Sequence, residues 1–295
     1  MDARSALFDV FGDHVSRRGG WAPVSGLVRI LEALGVASPA TRTAISRMAR
    51  EGWLVSSEHS GQRGYYATQR AQHHLSEAYD RVYRLRPFDW NGHWDMVVIT
   101  HDGDRSSRGR LARSMQYLGY APMTPGVWVA PRRSTELSER MAAEGAQWEG
   151  FASAYDGDDS VFAAGLWDLD GLASAYRDFI AALDADAVKL DRGITAKEAF
   201  VMRTRIVHRW RLFLFTDPGL PARVLPADWP GQEATLRFEQ EAGALMELTN
   251  AFVDHCFGSL PDIADPHPKA ARVASRSEPT LAHTEPQRQR SAPAR

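Results

Sequence analysis

The fold of this chain is decided by residues 24–67, VSGLVRILEALGVASPATRTAISRMAREGWLVSSEHSGQRGYYA. Apolar residues recur at helical spacing over 23–34 and predict a first helix. Gly35 is typical of the residue that follows a helix, and Ser38 with Pro39 is typical of the start of the next one. The first half of the stretch therefore predicts two helices joined by a tight turn.

The second helix, predicted over 40–51, has two chemically different sides. Its buried side is predicted to consist of Thr41, Ala44, Ile45 and Met48. Its other side combines arginines with small hydroxyl residues, namely Arg42, Thr43, Ser46, Arg47 and Arg50. Guanidinium and hydroxyl groups can contact phosphates and base edges together. This side is therefore a candidate DNA-contacting face.

Two short strands are predicted after this helix, over 53–55 and 64–67, joined by a polar loop over 58–63. Helix, turn, helix and two strands in this order are typical of a winged helix-turn-helix. In the loop region, Arg63 stands beside Gly64, an arrangement that can lower an arginine into a minor groove.

The local charge favours DNA binding over a plain helical hairpin with solvated arginines. The first 70 residues hold nine arginines and six acidic residues, a net charge of +3 in a chain whose total is −2. The basic turn at Arg17 and Arg18 can add a phosphate contact through exposed backbone N–H groups, although it can equally be a surface turn. The candidate DNA-contacting residues are Arg17, Arg18, Thr41, Arg42, Thr43, Ser46, Arg47, Arg50, Arg63 and Tyr65.

Composition sets the limits of the remaining interpretation. The chain has 295 residues, 44% of them hydrophobic, so it can bury a core large enough for two or three domains. Its near-neutral charge argues against a general nucleic-acid coat protein. The single cysteine, Cys256, excludes an intramolecular disulfide and a cysteine-rich zinc site and suits a reducing cytoplasm. We expect a soluble cytoplasmic protein with no membrane contact, metal or cofactor.

Several segments resemble the PaaX-type regulators, which are bacterial transcriptional repressors of phenylacetic acid catabolism. The resemblance covers about residues 5–257. It is carried by LFDVFGDHVSRRGGWAPVSGLVRILEALGV, PATRTAISRMAREGWL, GQRGYYATQRA, WDMVVI, LGYAPMTPGVWVAP and RIVHRWRLFLFTDPGLPARVLPADWPG. The resemblance implies a dimer that binds a palindromic operator and is released by an aryl-acyl-CoA effector, phenylacetyl-CoA. It also implies a middle domain similar to the fold of Cas2 proteins.

The predicted fold class is α+β, with five successive parts. They are a winged helix-turn-helix domain over 1–68, a connecting helix over 69–88, a ferredoxin-like, Cas2-like α/β sandwich over 89–164, an all-helical domain over 165–260 and a disordered tail over 261–295. In the middle part the pattern predicts strands over 94–100, 126–130 and 151–155 and helices over 105–118 and 135–148. In the helical part it predicts helices over 169–183, 195–215 and 232–257.

Two other function classes compete with DNA-binding repression. Some Cas2 proteins are metal-dependent nucleases, and this chain has Asp95 in the first middle strand with Asp102 and Asp104 in the loop after it. These aspartates do not form the carboxylate cluster that divalent-metal phosphoryl transfer needs, so we predict no enzymatic activity. The second alternative is a winged domain that binds a protein partner.

The candidate effector site lies in the helical part. An acyl-CoA needs cations for its phosphates and an apolar slot for its acyl group. Arg205, His208 and Arg209, next to Trp210, can supply both. The alternative is that these cations pair with acidic residues of a neighbouring helix, such as Glu239 and Glu241. The apolar surface of the helical and middle parts is also a candidate dimer interface.

Overall fold

The computed structural model describes residues 2–73, 75, 89–190 and 193–258, and these belong to one compact unit. Most of the predicted connecting helix over 69–88 lies outside the described residues, and so does the whole predicted tail over 261–295. None of the helices within the described ranges is both long enough and apolar enough to cross a membrane.

The N-terminal part, called the head below, combines helices with a small antiparallel sheet. Its elements are α1 (Ala3–Val10), β1 (Trp21–Pro23), α2 (Val24–Ala33), α3 (Ser38–Arg50), β2 (Leu54–His59) and β3 (Gln62–Ala67). A π-helical turn over Phe11–Val15 and a 3-10 turn over Ser16–Arg18 continue α1 toward β1. The strand order is β1-β3-β2. The predicted sequence of helix, turn, helix and two strands is present.

The head differs from the prediction in its sheet. The strand β1 was not predicted, and β2 and β3 extend through the segment predicted as a polar loop. They pair as far as His59 opposite Gln62, leaving Ser60 and Gly61 as a two-residue turn. Both turn residues have positive φ, 51° and 73°, as hairpin turns of this length require. The tight turn allows the hairpin to continue where the polar composition indicated a loop.

Gly64 is required by the packing of Trp21. In β3, Gly64 pairs with Pro23 of β1, and the buried indole of Trp21 lies over it. A Cβ at Gly64 would be 2.3 Å from Cε2 of that ring and 2.5 Å from the carbonyl oxygen of Ala22. The glycine beside Arg63 therefore has a structural reason that is independent of DNA.

The middle part is a four-stranded antiparallel sheet with two helices. Its elements are β4 (His93–Thr100), α4 (Arg105–Tyr117), β5 (Ala121–Thr124), β6 (Val127–Ala130), α5 (Leu137–Ala143) and β7 (Gln147–Ala154). The strand order β5-β6-β4-β7 is that of the β-α-β-β-α-β ferredoxin-like arrangement. The sequence pattern missed β5. It also made α5 too long, because Gly145 ends that helix with a φ of 65° and Trp148 lies in β7.

Both faces of this sheet are packed against helices. α4 and α5 cover one face, where Val97, Met115 and Trp128 share a core. The other face is covered at the Trp94 end by α6 (Asp159–Leu166), a helix that the sequence pattern missed. The Trp94 indole N–H donates to Asp159 Oδ1 (2.8 Å), which holds the start of α6 on the sheet.

The C-terminal part is helical, as predicted. Its further helices are α7 (Leu169–Leu190), α8 (Ala196–Arg211), α9 (Gly231–Ala244) and α10 (Met246–Phe257). The predicted capping box of Thr195 and Glu198 is confirmed at the start of α8. The single helix predicted over 232–257 is instead two helices that separate at Leu245. The break has a packing reason, because α9 packs in the core of the helical part and α10 packs in the core of the head.

Two glycines make the packing of the head testable. We expect Gly64→Ala to lower the free energy of unfolding by about 1–3 kcal/mol, since its Cβ would overlap the Trp21 ring. Gly109→Ala is the matched control: it lies in α4, where the nearest atom to a new Cβ is 3.8 Å away. We expect that change to be neutral or to stabilise by up to about 1 kcal/mol. Urea unfolding measures both, and equal effects would contradict this account of Gly64.

Candidate nucleic-acid interface

The outer side of α3 presents the predicted cations to solvent. Helical geometry places its five polar residues within an arc of roughly 140°, and all five are exposed: Arg42, Thr43, Ser46, Arg47 and Arg50. The opposite side is anchored in the core of the head by Ile45 and Met48. The described residues include no hydrogen-bond or ion-pair partner for Arg42 or Arg50. Because their guanidinium groups form no such contact with these residues, they are available to bind an anionic ligand.

Arg47 differs from these two arginines because it has a carboxylate partner. Its Nε donates to Glu51 Oε1 (3.0 Å), and Arg4 of α1 donates to Glu51 Oε2 (2.5 Å). The hydrogen bond from Arg4, followed by that from Arg47, lowers the pKa of Glu51. Arg47 is still 69% exposed, so its guanidinium can reach a ligand while its Nε stays bound.

Two residues predicted to contact DNA are core residues. Thr41 has no exposed surface, and its hydroxyl donates to the carbonyl oxygen of Ala37 (3.4 Å). Tyr65 is 5% exposed and packs in the head. Both predictions are corrected by burial, since neither side chain can reach a duplex from its position. The helical spacing had already placed Thr41 beside Ile45 on the inner side of α3.

Arg63 lies on the outside of the hairpin formed by β2 and β3. It is exposed, and its guanidinium carbon is 6.0 Å from the centroid of the Tyr65 ring. One of its N–H groups donates to the Tyr65 hydroxyl (3.4 Å). Tyr65 therefore supports Arg63 from below instead of contacting a ligand itself.

The basic turn after α1 divides into one surface residue and one anchored residue. Arg17 is exposed. Arg18 donates to Asp254 Oδ1 (2.7 Å) and to Asn250 Oδ1 (2.9 Å), both on α10. The structure thus corrects the predicted phosphate contact of Arg18, because its guanidinium holds the C-terminal part against the head.

Further charged contacts between head and helical part were not predicted. Asp9 of α1 is buried and forms an ion pair with Arg211. Asp13 Oδ2 lies 3.2 Å from an Nη of Arg203, which is 2% exposed. Arg203 also donates to the carbonyl oxygen of Ala242 (3.2 Å). Two acidic residues after the start of α1 are thus matched by two arginines of α8. The local sequence contains no signal for these pairs, since Asp13 and Arg203 are 190 residues apart in the chain.

The neighbouring His14 is kept neutral. It is 2% exposed, and burial, followed by the positive charge of Arg203, lowers its pKa to about 3. A neutral imidazole adds no repulsion to the arginines that converge there.

An apolar core joins α10 to the head. Val253, Cys256 and Phe257 are buried in the same core as Leu27 and Ile30 of α2. Gly26 of α2 makes this close contact possible, because a Cβ there would lie 2.6 Å from the Phe257 ring. Arg29 donates to the carbonyl oxygen of Cys256 (Nε to O, 3.1 Å). The helix that precedes α3 is therefore packed directly on the C-terminal helix.

The predicted effector residues all lie on α8, but their side chains have different partners. Arg205 is exposed. Arg209 Nη1 lies 3.7 Å from Asp186 Oδ2, and His208 Nδ1 lies 3.6 Å from Asp9 Oδ2. Burial lowers the pKa of His208. These three side chains form one polar side of α8, next to its contact with the head.

Trp210 is a core residue. It is 1% exposed and stacks on Phe238, with 4.7 Å between ring centroids and 9° between planes. This burial corrects its predicted place in an open apolar slot. The alternative, that these cations pair with acidic residues, holds for His208 and Arg209, but their partners are Asp9 and Asp186. Glu241, one of the two expected partners, instead lies 3.7 Å from Arg237.

The three aspartates considered for a nuclease site do not form a carboxylate cluster. The buried carboxylate of Asp95 accepts hydrogen bonds from the Tyr120 hydroxyl and from Arg133 (Nε 2.9 Å, Nη2 2.7 Å). Burial raises the pKa of Tyr120, which keeps the phenol protonated as a donor. Asp104 accepts a backbone N–H in the first turn of α4 (2.8 Å), and Asp102 is exposed. Within the described ranges, no group of three or more His, Cys, Asp or Glu is placed to hold a metal ion.

Three family models that match successive parts of the chain all describe the same family. The family model described as "PaaX-like protein" matches residues 2–71, "PaaX protein central Cas2-like domain" matches 87–157, and "PaaX-like protein C-terminal domain" matches 167–255. The chain belongs to the PaaX-like family. The resemblance predicted from the sequence is thereby confirmed, and the middle sheet of this PaaX-like protein is Cas2-like.

Two relatives of this PaaX-like chain cover most of its length. The transcriptional repressor PaaX of Escherichia coli (strain K12) is 26% identical over 246 residues, which is 79% of this chain and 77% of that protein. The solved structure of the uncharacterized protein Rv0674 from Mycobacterium tuberculosis has a TM-score of 0.59 at 26% identity, over 85% of this chain and 98% of that chain. The fold described above is therefore similar to that of a solved structure.

Proposed function

We propose that this PaaX-like protein is a transcriptional repressor that binds double-stranded operator DNA through a winged helix-turn-helix in the head. The observation that carries the proposal is the outer side of α3, where Arg42 and Arg50 are exposed and unpaired within the described residues. The name of the Escherichia coli relative, a transcriptional repressor, supports the same function. The protein would act in the cytoplasm without a catalytic step.

In the proposed complex, α3 enters the major groove and the hairpin of β2 and β3 lies beside it. Exposed arginines can bind guanine edges or phosphates, and the hydroxyl groups next to them can fill the spaces between these contacts. Arg63, at the hairpin, would contact the adjacent minor groove. The contacting residues are Arg17, Arg42, Thr43, Ser46, Arg47, Arg50 and Arg63.

We further propose a homodimer on a palindromic operator, with two copies of α3 in successive major grooves about 34 Å apart. Exposed apolar side chains of the middle sheet support an interface between chains, since Val98, Met123 and Phe151 are 38–51% exposed. Sedimentation of the protein with its operator should show two chains per duplex. One chain per duplex at saturation would contradict the dimer.

An anionic effector, of the aryl-acyl-CoA class that the family resemblance implies, is the proposed release signal. Arg205 and Arg209 can bind its phosphates. Between them in sequence, His208 touches Asp9 of α1, so a ligand bound there would lie next to the contact between helical part and head. Release would be a shift toward a head arrangement that no longer fits the operator.

We expect Arg42→Ala and Arg50→Ala each to weaken operator binding by about 1–3 kcal/mol where the arginine contacts a base, with relaxed specificity at that base pair. Where the arginine contacts a phosphate, binding to all duplexes weakens and the salt dependence becomes shallower. Fluorescence anisotropy with DNA from upstream of the chain's own gene measures both. Arg177→Ala, an exposed arginine of α7 whose partner Asp228 is 81% exposed, is the control and should leave binding unchanged.

The same titration separates the competing functions. A wild-type protein with no preference for upstream DNA over random competitor would remove the repressor proposal and favour a winged domain that binds a protein. Cleavage of the duplex in the presence of Mg²⁺ or Mn²⁺, abolished in Asp102→Ala, would instead establish the nuclease.

For the effector, we expect phenylacetyl-CoA to raise the melting temperature and lower operator affinity of the wild-type protein. Arg209→Ala should weaken both effects while operator affinity without ligand stays unchanged, because Arg209 lies outside the head. The comparison is made by thermal shift and anisotropy with free phenylacetate and CoA as further ligands. Full induction of the Arg209→Ala variant would exclude this residue from the site.

A further inference from the structure

A second cationic surface lies on α4, in the middle part of the chain. This helix contains four arginines and no acidic residue, although the whole chain has a net charge of −2. All four side chains are exposed, and together they are called the arginine face: Arg105, Arg108, Arg110 and Arg113. The proposed binding of the operator by the head makes no use of them.

The orientation of α4 is fixed by the core beneath it. Leu111 and Met115 are buried against the middle sheet. With roughly 100° per residue, Arg105, Arg110 and Arg113 fall on the side of the helix opposite to this core. Their exposure is therefore a consequence of how α4 packs.

The positive charges of this face are mostly uncompensated. Arg110 lies 3.4 Å from Glu144. Arg105, Arg108 and Arg113 form no ion pair with any residue that the structure describes. Like charges spaced three or four residues apart on a helix repel each other. Arg105 with Arg108 and Arg110 with Arg113 have this spacing, and an anionic partner would offset the repulsion within each pair.

Gly109, in the middle of the arginine face, is a second sign of a partner. A Cβ there would meet nothing closer than Arg113 Nη1 at 3.8 Å, so the protein itself gives no reason for a glycine. Glycine inside a helix is less stable than alanine, and it is used where another molecule approaches the backbone closely. Ser106, one turn earlier, is also small. Long cations around small residues suit a rod-shaped polyanion.

We propose that the arginine face of α4 contacts phosphates of the same duplex that the head binds, outside the half-site entered by α3. This inference rests on the proposed operator binding. Arg105 and Arg113 are separated by roughly 12 Å along the helix, which corresponds to about three to four of the 3.4 Å steps between successive phosphates of one strand along the duplex axis. One guanidinium group can donate two parallel hydrogen bonds to the oxygens of one phosphate. Contacts to the phosphate backbone of DNA do not depend on the base sequence.

The chemistry of the surface favours DNA over an acidic protein. Protein interfaces are anchored at their centre by buried aromatic side chains and arginines that fill desolvated pockets, with apolar residues around them. The stretch between Arg105 and Arg113 offers no aromatic or apolar side chain on the outside, since Leu111 is buried in the core, Ala112 packs against that core, and the others besides arginine are Ser106, Ser107 and Gly109. A surface made of cations and small polar residues fits a phosphate backbone.

The test compares two duplexes and two matched variants of the full chain. The short duplex ends at the half-sites, and the long one adds about one helical turn, roughly 10 base pairs, on each side. Arg105→Gln/Arg113→Gln removes two charges from the arginine face, while Arg177→Gln/Lys197→Gln removes two from exposed positions of α7 and α8. Glutamine is a good helix former, and equal melting temperatures confirm that both variants fold.

We expect the wild-type protein and the control variant to bind the long duplex more tightly than the short one. Arg105→Gln/Arg113→Gln should abolish this difference, because the added phosphates then meet no guanidinium group. The plot of log affinity against log salt on the long duplex should flatten by about 0.9 for each phosphate that the variant no longer neutralises. On the short duplex the variant should bind as the wild type does.

Two results would overturn the inference. The first would leave the proposed operator binding by the head intact, and the second would remove it as well. If this variant keeps the wild-type preference and salt slope on the long duplex while Arg42→Ala abolishes operator binding, the head still binds DNA and α4 does not. That result would assign the arginine face to a different anionic partner, such as an acidic protein. If the wild type does not distinguish operator from random duplex, the proposed function fails and the role of α4 fails with it.

Discussion

The structure depends on the packing of the C-terminal helix α10 against α2 of the head. Phe257 and Val253 are buried among residues of α2, and Gly26 leaves the space that the Phe257 ring occupies. Around this apolar contact, Asp9 pairs with Arg211 and Asp13 with Arg203. Buried ion pairs add little net stability compared with apolar residues, but breaking one leaves a charge without compensation. They therefore fix one arrangement of the head relative to the helical part.

This arrangement would connect the proposed effector site in the helical part with the proposed DNA-binding helix of the head. α3 is carried by the core of the head, and that core includes side chains of α8 and α10. A change in the tilt of α8 would move Arg203 and Arg211, whose partners Asp13 and Asp9 lie on the first turns of the head. Coupling of this kind needs an element with two packed positions, which both ligands can bias. The contact between α8 and α1 is the candidate for such an element, because Asp9 of α1 is paired with Arg211 of α8 there.

Local patterns predicted the parts of the site that local chemistry determines. The exposed side of α3 and the capping box at Thr195 follow from helical periodicity and from end preferences of helices, which act over three or four residues. The hairpin turn at Ser60 and Gly61 could have been recognised from its glycine, but the polar residues around it indicated a loop. Thr41 was assigned to the site by its hydroxyl although its spacing placed it in the core.

Contacts between distant parts of the chain could not be predicted in this way. Arg18 and Asp254 are 236 residues apart, and a single sequence does not show which charges will meet. For the same reason Trp210 was given to an effector slot, whereas it stacks on Phe238 of a different helix. The break between α9 and α10 was missed because both halves have helical periodicity and only their different cores separate them.

Hydrogen exchange of the full chain tests the shared core most directly. The measurement compares backbone amides of α2 and α10 in the wild-type protein and in Phe257→Ala, a change that removes a buried aromatic ring from the contact. If head and C-terminal helix are one packed unit, the amides of α2 become less protected together with those of α10. Reduced protection confined to α10, with α2 protected as in the wild type, would contradict the account.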